Sequence, residues 1–368
     1  MVQQAIVTLP AAPARYADDD AFRHGIAYYT GPVNTTRTLG RTLLLLIAYG
    51  TAAAVVYVAS LLLLQHGIRP DIPWVAGAQQ ALFRAGMAGP AANWLALPGC
   101  IAPDPVLVYK PAEGRCEFNH IEFSTTLHFT AAGRDTGPRP AGPGIAVIGD
   151  SHAMGWGVND TETFAAQLQQ LSGRPVYNLG VASYGTVREL LRLERSGLLD
   201  QIDTVIIQYC NNDYNENRLF DGASRTALQE KIFGHGAADP DAAAGNAGNV
   251  LHGYWLTLKA PFKHLADRLR RKNFARHYEV LIDTLRKHAA ALQGKRVIVF
   301  YSNPFGQRYR NYPLGRDAQL PNVYFADLGL TRADYFRFDS HLTPAGHRKV
   351  AAALLRELAA TATAQRPH

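Results

Sequence analysis

Residues Gly144 to Val158 read Gly-Ile-Ala-Val-Ile-Gly-Asp-Ser-His-Ala-Met-Gly-Trp-Gly-Val. Ile145 to Ile148 form an unbroken apolar run, the composition of a β-strand covered on both faces. Gly149 follows and admits a sharp turn, so the strand delivers Ser151 to its C-terminal tip. In open α/β sheets ligands collect outside such tips, which makes Ser151 a candidate nucleophile. The competing reading of an isolated Gly-Asp-Ser is that Asp150 or Ser151 only caps the next helix.

Downstream of this stretch strands and helices alternate. Apolar runs predict strands at Ile145–Ile148, Val176–Leu179, Val205–Tyr209, Val297–Tyr301 and Val323–Ala326. Helical periodicity falls at Thr163–Leu171, Thr186–Arg195, Lys259–Leu292 and Pro344–Ala360. Each right-handed crossover between parallel strands needs a helix to return, so the pattern predicts a parallel sheet with helices on both faces. Asp221 to Asn249, rich in Gly, Ala and Asp, interrupts the alternation and reads as a flexible insertion.

Upstream the character changes. Residues 1–41 lack apolar periodicity, carry Asp18-Asp19-Asp20 and end with Arg37 and Arg41, as a flexible tail would. Thr42 to Leu64 contains no charged residue and is long enough to cross a bilayer as a helix. The run starts too far into the chain for a cleavable leader, so it is read as a membrane anchor. Arg37 and Arg41 before it, against Arg69 offset by Asp71 after it, place the tail in the cytoplasm. Trp74 to Leu97 contains Arg84 and two glutamines and suits a surface-lying or domain-packed helix better than a second crossing. Residues 65–140 then form a connector and a small β-rich lead-in, in which Phe123 to Phe129 has the composition of an edge strand. Pro138 to Gly144 is a Pro/Gly hinge before the main domain at 141–368.

Composition narrows the field further. The 368 residues carry a formal net charge of +7, which speaks to association and not to fold. The basic run Lys259, Lys263, Arg268, Arg270, Arg271, Lys272 and Arg276 has no docking motif or interleaved aromatics of the kind nucleic-acid binders use. It is expected to be a solvated helix face, with anionic lipid or an acidic glycan as the alternative, and no nucleic-acid partner is expected. Cys100 and Cys116 can pair across a short loop, whereas Cys210 closes an apolar strand as a buried thiol. There is no Cys-x-x-Cys spacing, so no structural zinc is predicted.

Ester chemistry needs a nucleophile, a base, a group that orients the base, and donors for an oxyanion. Candidates for each follow predicted strand ends: Ser151; the block Asn178-Leu-Gly-Val-Ala-Ser-Tyr-Gly-Thr; the block Cys210-Asn-Asn-Asp; and Asp339-Ser-His-Leu-Thr-Pro-Ala-Gly-His. These four blocks, in this order over residues 141–360, resemble the SGNH or GDSL hydrolases, serine esterases and acyltransferases of flavodoxin-like three-layer α/β/α fold. Position by position the resemblance implies Ser151 as nucleophile, His341 as base and Asp339 as its partner. It implies an oxyanion hole from the N–H groups of Ser151 and Ser183 and the side-chain amide of Asn212. Ser183 stands where the family usually has glycine, and Asp339-Ser-His341 is one residue shorter than the common Asp-x-x-His, with Asp334 as the substitute carboxylate. In an extended segment residues two apart point the same way, so Asp339 still reaches His341. The pairs Glu122-Phe123 and Gly133-Arg134 are also similar to the lead-in of membrane-anchored bacterial members.

Other polar residues receive structural roles: His347 as a cap or packing residue, His152 as pointing away from Ser151, Asp150 as an acceptor that holds its turn, Asn211 as a packing neighbour and Asp213 as a support for the asparagine loop. The expectation is therefore a single-pass, membrane-anchored serine hydrolase facing the periplasm or exterior. An acetylated polysaccharide ester is the favoured substrate, and the acyl group goes to water or to a sugar hydroxyl. No cofactor or metal is required. The alternative is a non-catalytic subunit of an envelope polysaccharide system with the same fold.

Overall fold

In a computed structural model of the chain, residues 35–66, 94, 97, 99–120, 122–221, 274–302, 314–317, 319–337, 339 and 341–363 are described. The tail before residue 35, most of the Trp74–Leu97 run, the insertion at 222–249 and the basic residues up to 272 lie outside them.

Helix α1 (Thr35–His66) is 32 residues long and starts before and ends after the expected Thr42–Leu64. Helix hydrogen bonding needs no apolar side chains, so the polar flanks Arg37, Thr38 and Gln65 continue the ladder past the apolar run. Its segment Leu39–Ala59 is the one stretch among the described residues long and apolar enough to cross a membrane. Those 21 residues, at about 1.5 Å each, match a hydrocarbon core of roughly 30 Å. That segment is unburied, and Leu43, Leu44, Leu45, Leu46 and Val55 are exposed. Thr51 donates its hydroxyl to the carbonyl of Ile47 at 2.8 Å, the internal pairing that a hydroxyl in lipid requires.

The remaining described residues build two sheets. A two-stranded ribbon pairs β1 (Ile101–Asp104) with β2 (Val108–Pro111). The large sheet has nine strands: β3 (Gly114–His120), β4 (Phe123–Thr130), β5 (Gly133–Arg134), β6 (Gly144–Ile148), β7 (Val176–Asn178), β8 (Ile202–Tyr209), β9 (Arg296–Tyr301), β10 (Gly315–Arg316) and β11 (Val323–Ala326). Their spatial order is β10-β11-β9-β8-β6-β7-β5-β4-β3. Strands β11, β9, β8, β6 and β7 are mutually parallel. The first of these in the chain, β6, therefore lies inside the set, with β7 on one side and β8 on the other.

The alternation of β6 explains why it has no polar residue. Ile145 and Val147 point to one face, where they pack with Ile206, Ile298, Phe300 and the helices α3 (Phe164–Ser172) and α8 (Pro344–Thr363). Ala146 and Ile148 point to the other, among Val205, Ile207, Val297 and the helices α4 (Thr186–Glu194) and α6 (Phe274–Lys287). All five β6 residues are buried. Truncating one of these buried isoleucines to Ala in such a core typically costs about 2–5 kcal/mol.

Two expectations are corrected. The sheet is mixed rather than purely parallel, because β3, β4 and β5 extend it antiparallel beyond β7 and β10 adds an antiparallel strand at the other edge. Without β5 the outer rim of β7 would be an unpaired edge. The closure runs through Arg134 opposite Asn178, and it needs Gly133, at φ +102°, because a Cβ there would lie 2.1 Å from the Asn178 carbonyl oxygen. The second correction concerns Phe123–Phe129: β4 is an interior strand and β3 is the edge. The lead-in is thus part of the main sheet. A disulfide joins Cys100 to Cys116 with Cα atoms 5.1 Å apart, tying the start of β1 to β3. The expected long helix over Lys259–Leu292 is represented by α6 and the short α7 (Ala289–Leu292), separated at His288.

Candidate active site

The chain leaves β6 toward β7 on one side, and continues from β8 toward β9 on the other. In doubly wound sheets the crevice between two such strands is where ligands bind. Ser151 follows β6 and Asn212 follows β8, so both flank this crevice. Gly149 makes the turn at φ +152°, where a Cβ would lie 2.6 Å from that of Ala153 and 2.7 Å from Gln208 Oε1. Ser151 then opens the four-residue helix α2 (Ser151–Met154), with Asp150 as its cap: the Asp150 carboxylate accepts the His152 N–H at 2.9 Å. From β8, the buried Gln208 side-chain oxygen accepts the N–H groups of Asp150 (3.2 Å) and Ala153 (3.1 Å), which clamps the turn from beneath.

Ser151 Oγ and His341 Nε2 lie 2.6 Å apart. The other ring nitrogen, Nδ1, pairs with Asp339 Oδ1, which also accepts the His341 backbone N–H at 3.0 Å. The aspartate therefore reaches a histidine two residues away by curling the segment into an Asx-type turn, not through an extended alternation. Asp339 Oδ2 accepts the indole N–H of Trp156 at 3.0 Å, and the Trp156 ring stacks on His341 at 4.7 Å and 18°. Burial works to raise the Asp339 pKa, but the charge of His341 and the hydrogen bonds from His341 and Trp156 outweigh it and hold this carboxyl well below the usual range. It is an anion placed to fix the tautomer of the imidazole and to stabilise an imidazolium.

The other predicted residues fall as follows. Asn212 donates its side-chain amide to Asp150 Oδ2 at 3.0 Å, so it faces the residue before Ser151. Ser183 lies on the loop after β7 with a left-handed backbone, φ +63°. Glycine would adopt that conformation at less cost than serine, and the Ser183 carbonyl accepts from Arg188 at 2.7 Å. The same loop is anchored to the nucleophile turn by the Val181 N–H on the Gly149 carbonyl at 3.0 Å. Asp213 accepts the Cys210 N–H at 2.7 Å and so supports the asparagine loop. Its carboxyl and that of Glu189 are both pushed well up, first by burial and then by neighbouring acid charge, Asp150 acting on Asp213 and Asp213 on Glu189. Asp213, with the N–H to accept, is the one suited to carry the charge. Asp334, the substitute carboxylate, is occupied with Lys349 at 2.8 Å and with Thr331. His347 is buried and its Nδ1 accepts the first N–H of α3, from Phe164, at 3.1 Å. Asn211 opens α5 (Asn211–Asp221).

His152 lies beside His341. Its ring lies 4.7 Å from that of His341, and its Nδ1 meets Ser302 Oγ at 3.1 Å, which in turn contacts the Tyr335 hydroxyl at 3.3 Å. Burial, and then the charge on His341, push its pKa down to about 4, so it is a neutral imidazole beside the base. Asp150, His152 and Cys210 bring potential ligand atoms within 4.8 Å of one another. They are engaged with each other and their neighbours: the Cys210 thiol, whose pKa burial and Asp150 raise, donates to Asp150 Oδ2 at 2.9 Å. That set reads as a hydrogen-bonded floor under the crevice.

No protein-family model matches the sequence, and no curated protein does. Solved structures do. A lipolytic protein of the G-D-S-L family from Desulfitobacterium hafniense is 12% identical, over 58% of this chain and 99% of that one, with a TM-score of 0.32. An acetylxylan esterase from Geobacillus stearothermophilus is 17% identical, over 60% and 95%, with a TM-score of 0.31. A two-domain esterase active on acetylated mannans is 14% identical, over 61% and 51%, with a TM-score of 0.35. Likenesses this distant decide nothing about activity, which has to be read from the side chains above.

Two residues of the site carry no signal that motif spacing alone could isolate. Trp156 stands inside the opening stretch between two glycines, and only its neighbours in space reveal its contact with Asp339. Arg134 is wholly buried, with its Nε on Asp160 Oδ1 (2.9 Å), Nη1 on the carbonyls of Met154 (2.7 Å) and Gly155 (2.5 Å), and Nη2 on that of Val158 (2.6 Å). One guanidinium from β5 thus gathers the carbonyls of the loop that carries Trp156, a use of the rigid donor fork that lysine cannot match.

Proposed function

We propose that this chain is a membrane-anchored serine hydrolase of SGNH type acting on ester bonds. The observation that carries the reading is the 2.6 Å contact of Ser151 Oγ with His341 Nε2 while the far ring nitrogen is held by Asp339. Ser151 Oγ attacks the ester carbonyl as His341 takes its proton; the alkoxide leaves with that proton, and an acyl-serine remains. A second hydroxyl, from water or a sugar, then attacks the acyl carbon as His341 takes its proton, and the bond to Ser151 Oγ breaks as the proton passes from His341 back to that oxygen. The N–H groups of Ser151 and Ser183 and the amide of Asn212, once it turns from Asp150, stabilise the oxyanion.

The cell-envelope setting extends this reading. Helix α1 supplies an anchor, Arg37 and Arg41 at its start favour a cytoplasmic N-terminus, and the Cys100–Cys116 disulfide suits an oxidising compartment on the far side. An O-acetyl group on an envelope or exported polysaccharide is the substrate class that such a position favours.

A fluorophosphonate probe tests the chemistry. Ser151 in the full chain is expected to be labelled, and Ser151→Ala to be unlabelled with unchanged folding. Labelling that persists in Ser151→Ala, or a parent chain that never reacts, overturns the assignment, and the latter outcome leaves a binding subunit with an idle site. Intact mass after incubation with p-nitrophenyl acetate, with and without an oligosaccharide acceptor, reports whether the acetyl group passes to water or to sugar.

A further inference from the structure

The segment that presents Asp339 and His341 belongs to neither sheet; its one ladder-like pairing is the isolated bridge between Tyr335 and Leu342. Such a stretch needs partners for its backbone groups from elsewhere. Arg332, in the turn Arg332–Asp334, donates to the carbonyls of Tyr335 (3.3 Å), Phe336 (2.6 Å) and Arg337. Within the segment the Phe336 N–H reaches the His341 carbonyl at 2.9 Å, and two further N–H groups are met by a single carboxylate. Glu122, immediately before β4, accepts the Arg337 N–H on Oε1 at 2.8 Å and the Asp339 N–H on Oε2 at 2.7 Å. A cation thus holds the carbonyls of the segment, and an anion its alternate amides.

The consequence falls on Asp339. Its backbone is pinned by Glu122, and its side chain spans Trp156 on one oxygen and His341 on the other. With only one residue between acid and base, a small rotation of the Asp339 backbone moves the carboxylate off the imidazole, because no longer loop exists to absorb it. The hairpin that carries Glu122 is itself wedged against the site: Phe118 on β3 meets Trp156 edge to face at 4.5 Å, and Phe123 on β4 meets Phe336 at 5.4 Å.

We propose that Glu122 is a positioning residue for the reaction, fixing the backbone of Asp339 so that this carboxylate stays aligned on His341. The inference rests on reading Ser151, His341 and Asp339 as the catalytic set. It makes the β3–β4 hairpin, far from the Gly-Asp-Ser block in sequence, a part of the catalytic machinery's support.

Glu122→Gln keeps the shape but turns an NH₂ group toward one of the two N–H donors. In the full chain, kcat for p-nitrophenyl acetate is expected to fall about 10- to 100-fold, the scale of a misaligned catalytic group, with KM within about twofold of the parent. Fluorophosphonate labelling of Ser151 should slow by a similar factor. Glu117→Gln, exposed on the same hairpin, is the control and should behave as the parent. Parent-like kcat and labelling in a folded Glu122→Gln overturn the positioning role while leaving the catalytic set intact. A parent chain that shows no Ser151 labelling instead removes the reading beneath it. Should Glu122→Gln fail to fold, Glu122→Asp is read by the same assays: the charge is kept but the shorter arm cannot span both N–H groups, so an undiminished kcat there also overturns the proposal.

Discussion

Replacing Arg134 by Met should cost this protein a large part of its stability, and the size of the loss follows from what the guanidinium holds. Arg134 is 0% exposed and makes four hydrogen bonds, three to carbonyls between Met154 and Val158 and one to Asp160. Methionine fills a comparable volume but donates nothing. Asp160 retains the His128 backbone N–H at 3.2 Å and the His128 ring at 2.5 Å, and the Gly155 carbonyl keeps the Val158 N–H at 3.4 Å, so the main loss is at the carbonyls of Met154 and Val158. A buried acceptor left without a donor costs about 1–3 kcal/mol, and since neighbouring losses do not add in full, the sum over the two is roughly 2–5 kcal/mol. Against a typical stability of about 5–15 kcal/mol that is severe. At roughly 2–4 °C per kcal/mol for a domain of this size, the unfolding midpoint should drop by roughly 4–20 °C. Tryptophan fluorescence during heating of the full chain in detergent measures it, since Trp94 is buried and Trp156 half-buried. An Arg134→Met midpoint within about 2 °C of the parent would refute the claim that this side chain sustains the loop behind Ser151.

Two smaller effects follow from local geometry. Ser183→Gly should be neutral to stabilising by up to about 1 kcal/mol, because relief of the left-handed backbone (about 1–2 kcal/mol) exceeds the extra unfolded-state entropy of glycine (about 0.5–1 kcal/mol); Ser183→Val should shift the urea midpoint the other way. His152 gives a pH signature. Its folded pKa of about 4 lies below the ordinary histidine value of 6.5, so the unfolded chain binds the proton first. Stability present above pH ~6.5 is lost as the pH falls toward ~4, by about 3 kcal/mol for a shift of this size. The buried His347, lowered by burial and by Arg134, adds a loss of the same sign. Urea unfolding of His152→Gln at a series of pH values should show a shallower acid slope than the parent, and equal slopes would rule the account out.

Periodicity and turn chemistry alone locate much of this protein. An uncharged run predicts α1, because lipid excludes charge over a fixed thickness. Predominantly apolar runs predict β6, β8 and β9, because a strand covered on both faces takes a polar residue only where it finds a partner, as Gln208 on β8 does at the Ser151 turn. The order of four motif blocks, read through the family resemblance, names Ser151, His341 and Asp339, and the fold brings these three into contact although 188 residues separate Ser151 from Asp339. Local signals do not report which strands are neighbours, and there the tertiary structure decides. The lead-in reads as a separate piece, yet β5 lies on β7 because Gly133 lets the two backbones meet. That pairing carries Arg134 under the Ser151 loop and sets Glu122 against the amides of Asp339, contacts spanning 20 to 217 residues of chain. His152 is next to Ser151 in sequence but joins His341 in space, since the helical turn after Gly149 swings it away from its neighbour and into the floor of the crevice. Which groups the proposed reaction would use is read from residue type and order; what holds them in line depends on hydrogen bonds between distant segments, and these exist only once the sheet has closed.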